Sequence, residues 1–111
     1  MTNLLSKNIP DLEAVLLIDR DGNLVHKMIP TKFEKNYDNA WLKFFSMMIS
    51  IRFPLSGFNK ELGGLKMTIN IFKEKGVLVK LLDSGHILAV IIPWKTNSVI
   101  NAISVISDEI A

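Results

Sequence analysis

Few residues in this chain are of a type and spacing that could do chemistry. His26 and His86 are the only histidines, each beside a strand-like run, and neither belongs to a His-x-x-x-His pair that one helix face would offer to a metal. There is no cysteine, which excludes a thiolate nucleophile, a thiolate metal site and a disulfide framework. Asp19 and Asp21 are spaced as paired carboxylates that can hold a cation. They also flank a turn, where aspartate is favoured for its own local hydrogen bonds. Asp83, Asp108 and Glu109 have no recognisable partner. No serine sits in a Gly-x-Ser-x-Gly elbow. Residues 57–60 and Gly63-Gly64 make no GxxxxGK loop to cradle a phosphate. The expectation is a non-enzymatic protein with no catalytic residue, no metal site, no cofactor and no nucleotide site of its own.

Size and composition narrow the field further. A length of 111 residues predicts a single domain over 1–111. Hydrophobic residues make up 49% of it, a surplus for one small domain. The longest apolar run, residues 87–94, is far too short to span a membrane. Residues 1–8 carry one lysine and no apolar stretch of seven, so no secretory signal is expected, and a cytoplasmic location follows. The net charge is +2, the basic residues are scattered, and only Arg20 and Arg52 are arginine. Phosphate and base-edge recognition favours clustered arginine, so a nucleic-acid partner is not expected.

The elements read in order. Thr2 can cap a short helix with Leu4, Leu5 and Ile9 facing inward, stopped by Pro10. Residues 14–18 are all apolar and read as a strand buried on both faces. Asp21-Gly22-Asn23 turns the chain, and residues 24–28, with His26 and Lys27, return as an edge strand. Residues 30–36 are polar and irregular. Residues 37–53 form a long helix ended by Pro54, and residues 55–64 form a loop. Residues 65–72 alternate, with Leu65, Met67, Ile69 and Ile71 on one side and Lys66, Thr68 and Asn70 on the other. Residues 73–76 make a hairpin turn. Residues 77–82 follow as a strand, then a turn at Asp83-Ser84-Gly85 and a central strand at 87–92. Thr96, Asn97 or Ser98 caps a closing helix with Val99, Ile103, Ile106 and Ile110 on its apolar stripe. The fold class is α/β (α+β): helix, two strands, helix, three strands, helix. Tight turns demand antiparallel neighbours, and strands apolar on both sides demand helices on both faces.

The middle helix carries more apolar surface than a sheet can cover. At 100° per residue Asn39, Lys43, Ser46 and Ser50 share one narrow stripe, and the remaining arc of roughly 240° is apolar, against little more than 100° for a helix lying on a sheet. Ala40, Phe44, Met47 and Ile51 are expected on the sheet. Trp41, Phe45, Met48 and Arg52 then form a second stripe, covered either by the loop of residues 54–64 of the same chain or by another chain; Trp, Phe, Met and Arg are the types enriched in interface cores, which favours the second.

The segment IPDLEAVLLIDRDGNLV at residues 9–25 resembles the opening of the roadblock domain family: Ile-Pro, an apolar strand, an Asp-x-Asp-Gly turn and a second strand. GVLVKLLDSGHILAVIIPWKTNSVINAISVISDEI at residues 76–110 is similar to that family's hairpin and closing helix. The resemblance covers nearly the whole chain. It implies a five-stranded antiparallel sheet between helices, of the roadblock/profilin-like type. It also implies dimers joined edge to edge at their third strands with the middle helices side by side. By function it implies a scaffold or regulatory subunit for a small Ras-like GTPase, or a cargo-adaptor light chain of a motor complex. A small-molecule sensory domain of PAS type is the other reading. The dimer surface is expected at Trp41, Phe45, Met48, Arg52, Lys66, Thr68 and Asn70, against a second copy or a paralogue. The GTPase surface is expected on the polar stripe Asn39, Lys43, Ser46 and Ser50. The short first helix and the long 55–64 loop depart from the family pattern.

Overall fold

The computed structural model describes residues 2–52 and 67–110, the side chains of Thr2, Asn3, Arg52 and Glu109 excepted. The chain order is α1 (Thr2–Asn8), β1 (Ala14–Ile18), β2 (Leu24–Met28), a 3-10 helix (Thr31–Asn36), α2 (Asn39–Arg52), β3 (Met67–Ile71), β4 (Lys75–Leu81), β5 (Ile87–Pro93) and α3 (Thr96–Glu109). The expected cap at Thr2, the helix stop at Pro54, the loop at 55–64, and Leu65 and Lys66 lie outside the described residues.

The five strands form one sheet in the order β2-β1-β5-β4-β3, and every pairing is antiparallel. β5 is central, as its unbroken apolar run predicts, and β2 and β3 are the edges. Alternation divides the core in two. Ala14, Leu16, Ile18, Val77, Ala89 and Ile91 face Tyr37 and Leu42 at the start of α2. Val15, Leu78, Leu88, Val90 and Ile92 face Leu5 and Ile9 of the α1 segment, and Val99 and Ile106 of α3.

Two hairpins close by the same device. The loop of residues 20–22 is bracketed by Asp19 N–H donating to the Asn23 carbonyl at 2.9 Å, and that of 83–85 by Leu82 N–H donating to the His86 carbonyl at 2.9 Å. Each three-residue loop ends in a glycine at positive φ, Gly22 at 88° and Gly85 at 91°. Asp19 is consumed in the first: Oδ1 accepts the N–H groups of Asp21 and Asn23, both at 2.9 Å. The Asn23 backbone bond foremost holds its carboxyl below the usual range.

The structure differs from the sequence reading in several details: α2 starts at Asn39 and not at Tyr37, and β4 starts at Lys75, inside the expected 73–76 turn. Residues 31–36, expected to be irregular, wind into the 3-10 helix, whose Phe33 N–H donates to the Pro30 carbonyl at 2.8 Å. The N-cap of α3 is Lys95, with no side-chain cap; Ser98 instead donates its hydroxyl to Asp11 and ties α3 to the α1–β1 junction. Lys80, whose role the reading of residues 77–82 as a strand does not supply, donates to the Ile106 and Ile110 carbonyls and satisfies the C-terminal end of α3.

A polar contact lies inside the α2 side of the core. Glu13 is buried just before β1; it pairs with Lys75 at the start of β4 and accepts the Tyr37 hydroxyl at 3.2 Å. Burial, and then the Glu13 charge, push the Tyr37 phenol far above its ordinary value.

The two positive-φ glycines should not tolerate a methyl group equally. A Cβ at Gly22 would meet the α2 backbone at Met47 Cα at 3.2 Å, whereas the nearest atoms to one at Gly85 belong to the far end of the flexible Arg20 side chain. Gly22→Ala should cost about 2–3 kcal/mol and Gly85→Ala about 1–2 kcal/mol in urea unfolding; equal costs would contradict the close docking of α2 on the hairpin.

Candidate functional site

The largest group of exposed apolar side chains on one element is on α2. Asp38 starts the helix: its carboxylate accepts the Trp41 N–H at 2.7 Å, a cap that satisfies one of the free donors of the first turn. An aspartate immediately before an apolar helical run is a start signal readable in the sequence itself.

The facing of α2 is the main correction. Leu42, Ser46 and Ile49, spaced i, i+4, i+7, point to the sheet with Phe45 beside them; Leu42 and Ser46 are fully buried. The stripe expected on the sheet is outside: Phe44 is 53% exposed, Met47 51% and Ile51 57%, with Ala40 also exposed. Trp41 at 42% and Met48 at 40% join them, so the exposed apolar arc spans about 120° of the helix. Of the expected outward polar stripe, Asn39 and Lys43 are exposed, Ser50 is half-buried, and Ser46 lies on the inner side. Steric fit is the reason. The β1–β2 turn comes so near that a Cβ at Gly22 would meet Met47 Cα and Ser50 Oγ, which leaves little room beside Ser50. The Ser46 hydroxyl is buried with no hydrogen-bond partner among the described residues, so hydrogen bonding does not account for its inward position.

An aromatic row runs along one flank at i, i+4 spacing. Tyr37 and Trp41 have ring centroids 5.4 Å apart and tilted by 51°; Trp41 and Phe45 are stacked at 4.8 Å and 12°. Phe45, expected in the exposed stripe, is half-buried at its inner border.

Beside α2 lies the β3 edge. Met48 and Ile49 of α2, with Thr68, Asn70 and Phe72, line a groove of about 230 Å³ floored by Val77 and Val79 of β4. Three expected interface residues from distant parts of the sequence, Met48, Thr68 and Asn70, therefore meet in one place; Lys66 and the Arg52 side chain lie outside the description. Phe72 N–H donates to the Lys75 carbonyl at 2.9 Å. By antiparallel alternation, Asn70 and Thr68 also bond inward to β4, so the backbone groups of Ile69 and Ile71 point to the open edge. On the other flank of α2, Asn39, Lys43 and Met47 line a cleft with residues 21–24.

The candidate chemical residues do not converge. His26 is exposed on β2. His86 Nδ1 lies 3.0 Å from Ser84 Oγ, which also accepts the His86 N–H, an arrangement that shapes the β4–β5 turn. Among the described residues no three His, Cys, Asp or Glu side chains stand together as a metal set, and no helix is long and apolar enough to cross a membrane.

No family model matches the sequence, and no curated protein matches it. Solved structures do match its fold. The roadblock/LC7 domain from Streptomyces avermitilis superposes with a TM-score of 0.71 at 14% identity, covering 96% of this chain and 86% of that one. The gliding protein MglB from Thermus thermophilus gives 0.73 at 13% identity, covering 96% and 82%. An MglB in a tetrameric arrangement gives 0.70 at 13% identity, covering 94% and 80%. At these identities the likeness is one of fold, and the fold of this chain is that of the roadblock/LC7 domain.

Proposed function

We propose that this protein is a non-enzymatic scaffold or regulatory subunit. It pairs with a second copy of itself, or with a paralogue, through α2 and the β3 edge, and the pair holds a small Ras-like GTPase. The observation that carries the pairing is the exposed arc of Trp41, Phe44, Met47, Met48 and Ile51 beside an open strand edge. Five large apolar side chains on one helix are more than a monomer ordinarily leaves in water. Each, about half exposed, would gain about 1 kcal/mol on full burial. A symmetric pair doubles that to about 10 kcal/mol, close to the ~4–15 kcal/mol lost in bringing two chains together. The helices alone would therefore bind weakly. The ladder between two β3 edges, at Ile69 and Ile71, supplies the surplus and the register. The tetrameric arrangement of one structure of like fold is in keeping with assembly.

The GTPase half rests on the family resemblance, since fold does not fix function. The physical contribution is the flank left free once the apolar arc is covered. Asn39 and Lys43 remain at the cleft beside the β1–β2 turn, while Ser46 is buried and plays no part.

Light scattering during size exclusion should give about twice the monomer mass at tens of micromolar protein. Phe44→Asp should leave a folded monomer, and Leu42→Asp should unfold the chain; a wild-type monomer in the absence of any paralogue would contradict self-pairing. Lys43→Glu should weaken capture of a Ras-like GTPase from the same organism while leaving the dimer mass unchanged. If no such GTPase is captured by the wild-type protein, the GTPase reading fails.

A further inference from the structure

The aromatic row on α2 does not end at the surface. Its inner member, Tyr37, is buried, and its hydroxyl donates to Glu13 Oε1 at 3.2 Å. The same carboxylate oxygen accepts from Lys75 Nζ, and Lys75 stands at the turn that follows β3. Lys75 also lies 5.9 Å from the centre of the Phe33 ring, on the 3-10 helix that leads into α2. One buried carboxylate thus ties together the start of β1, the β3–β4 hairpin and the entry to α2. From Tyr37 the contacts run outward, to Trp41 at 5.4 Å and from Trp41 to Phe45 at 4.8 Å. Trp41 is 42% exposed and belongs to the arc that would meet a partner.

We infer that Glu13 and Tyr37 are positioning residues for the assembly surface: the buried Tyr37–Glu13 hydrogen bond fixes the ring on which Trp41 rests, and so sets the outer aromatic face of α2. This rests on the reading of α2 as the pairing surface. The physical basis is that a tryptophan half in water has several rotamers of similar energy. One orientation is favoured here because Phe45 stacks on one face and Tyr37 stands against the other flank. The Tyr37 ring is itself held at both ends, by burial of its body and by a charge-assisted bond at its tip. A face already ordered loses less side-chain freedom on pairing. The network also explains why a carboxylate stands immediately before an all-apolar strand, a position that the β1 pattern alone does not require.

The test uses full-length protein in a Trp94→Phe background, so that Trp41 is the only fluorophore of its kind. Tyr37→Phe keeps the ring and its burial but removes the hydroxyl. It should leave far-ultraviolet circular dichroism unchanged. Trp41 should become more accessible to acrylamide quenching at low protein concentration, with reduced near-ultraviolet dichroism, and the pairing constant should weaken about tenfold. Glu13→Gln, which keeps an acceptor oxygen, should stay near wild type in Trp41 quenching, and Glu13→Leu should behave like Tyr37→Phe. If Tyr37→Phe and Glu13→Leu leave Trp41 quenching unchanged, the inference is overturned whatever the oligomeric state. If quenching changes but wild type never pairs, the positioning stands and the pairing surface is refuted.

Discussion

The structure depends on a sheet that must be covered twice. β1, β4 and β5 carry apolar side chains on both faces, so one layer of helix cannot remove them from water. α1 and α3 close one side with an ordinary division between buried and wet faces. Val99, Ala102 and Ile106 are inside, while Asn101, Ser104 and Asp108 are outside. α2 closes the other side with a narrow inner strip. Its remaining apolar arc has no counterpart within the described chain, and the proposed assembly follows from that asymmetry.

How α2 sits is decided by close approach more than by hydrophobicity. The β1–β2 turn reaches up to the helix backbone at Gly22, where a Cβ would meet Met47 Cα and Ser50 Oγ. A buried serine with no described partner gives up some hydrogen bonding in exchange for proximity. The consequence is that Phe44, Met47 and Ile51 turn outward, next to Trp41 and Met48. The surface so formed is broad, aromatic- and methionine-rich, and continuous with the groove at Thr68 and Asn70. These properties suit an interface core better than a solvated helix face.

The parts of this arrangement that depend on local chemistry were legible in the sequence. The unbroken β-rich run at 87–92 places β5 at the centre, Gly22 and Gly85 mark turns that need positive φ, and the polar His26 and Lys27 put β2 at an edge. The resemblance carried by residues 9–25 and 76–110 gave the right fold. The facing of α2 was not legible, because a helix apolar over roughly 240° has no unique inner stripe. Polarity then misleads at Ser46, which is fully buried. The 3-10 turn at 31–36 was missed because its polar residues carry no periodicity. The role of Glu13 was missed because its partners, Tyr37 and Lys75, are 24 and 62 residues away in sequence.

The central claim is that the β3 edge and the outer face of α2 are covered together by another chain. Amide hydrogen exchange at Ile69 and Ile71 tests it most directly, since those N–H groups face away from β4 and have no partner within the sheet. In wild-type protein at high concentration both amides should exchange orders of magnitude more slowly than in the Phe44→Asp variant. Exchange at the same fast rate in both proteins, at every concentration, would contradict the account.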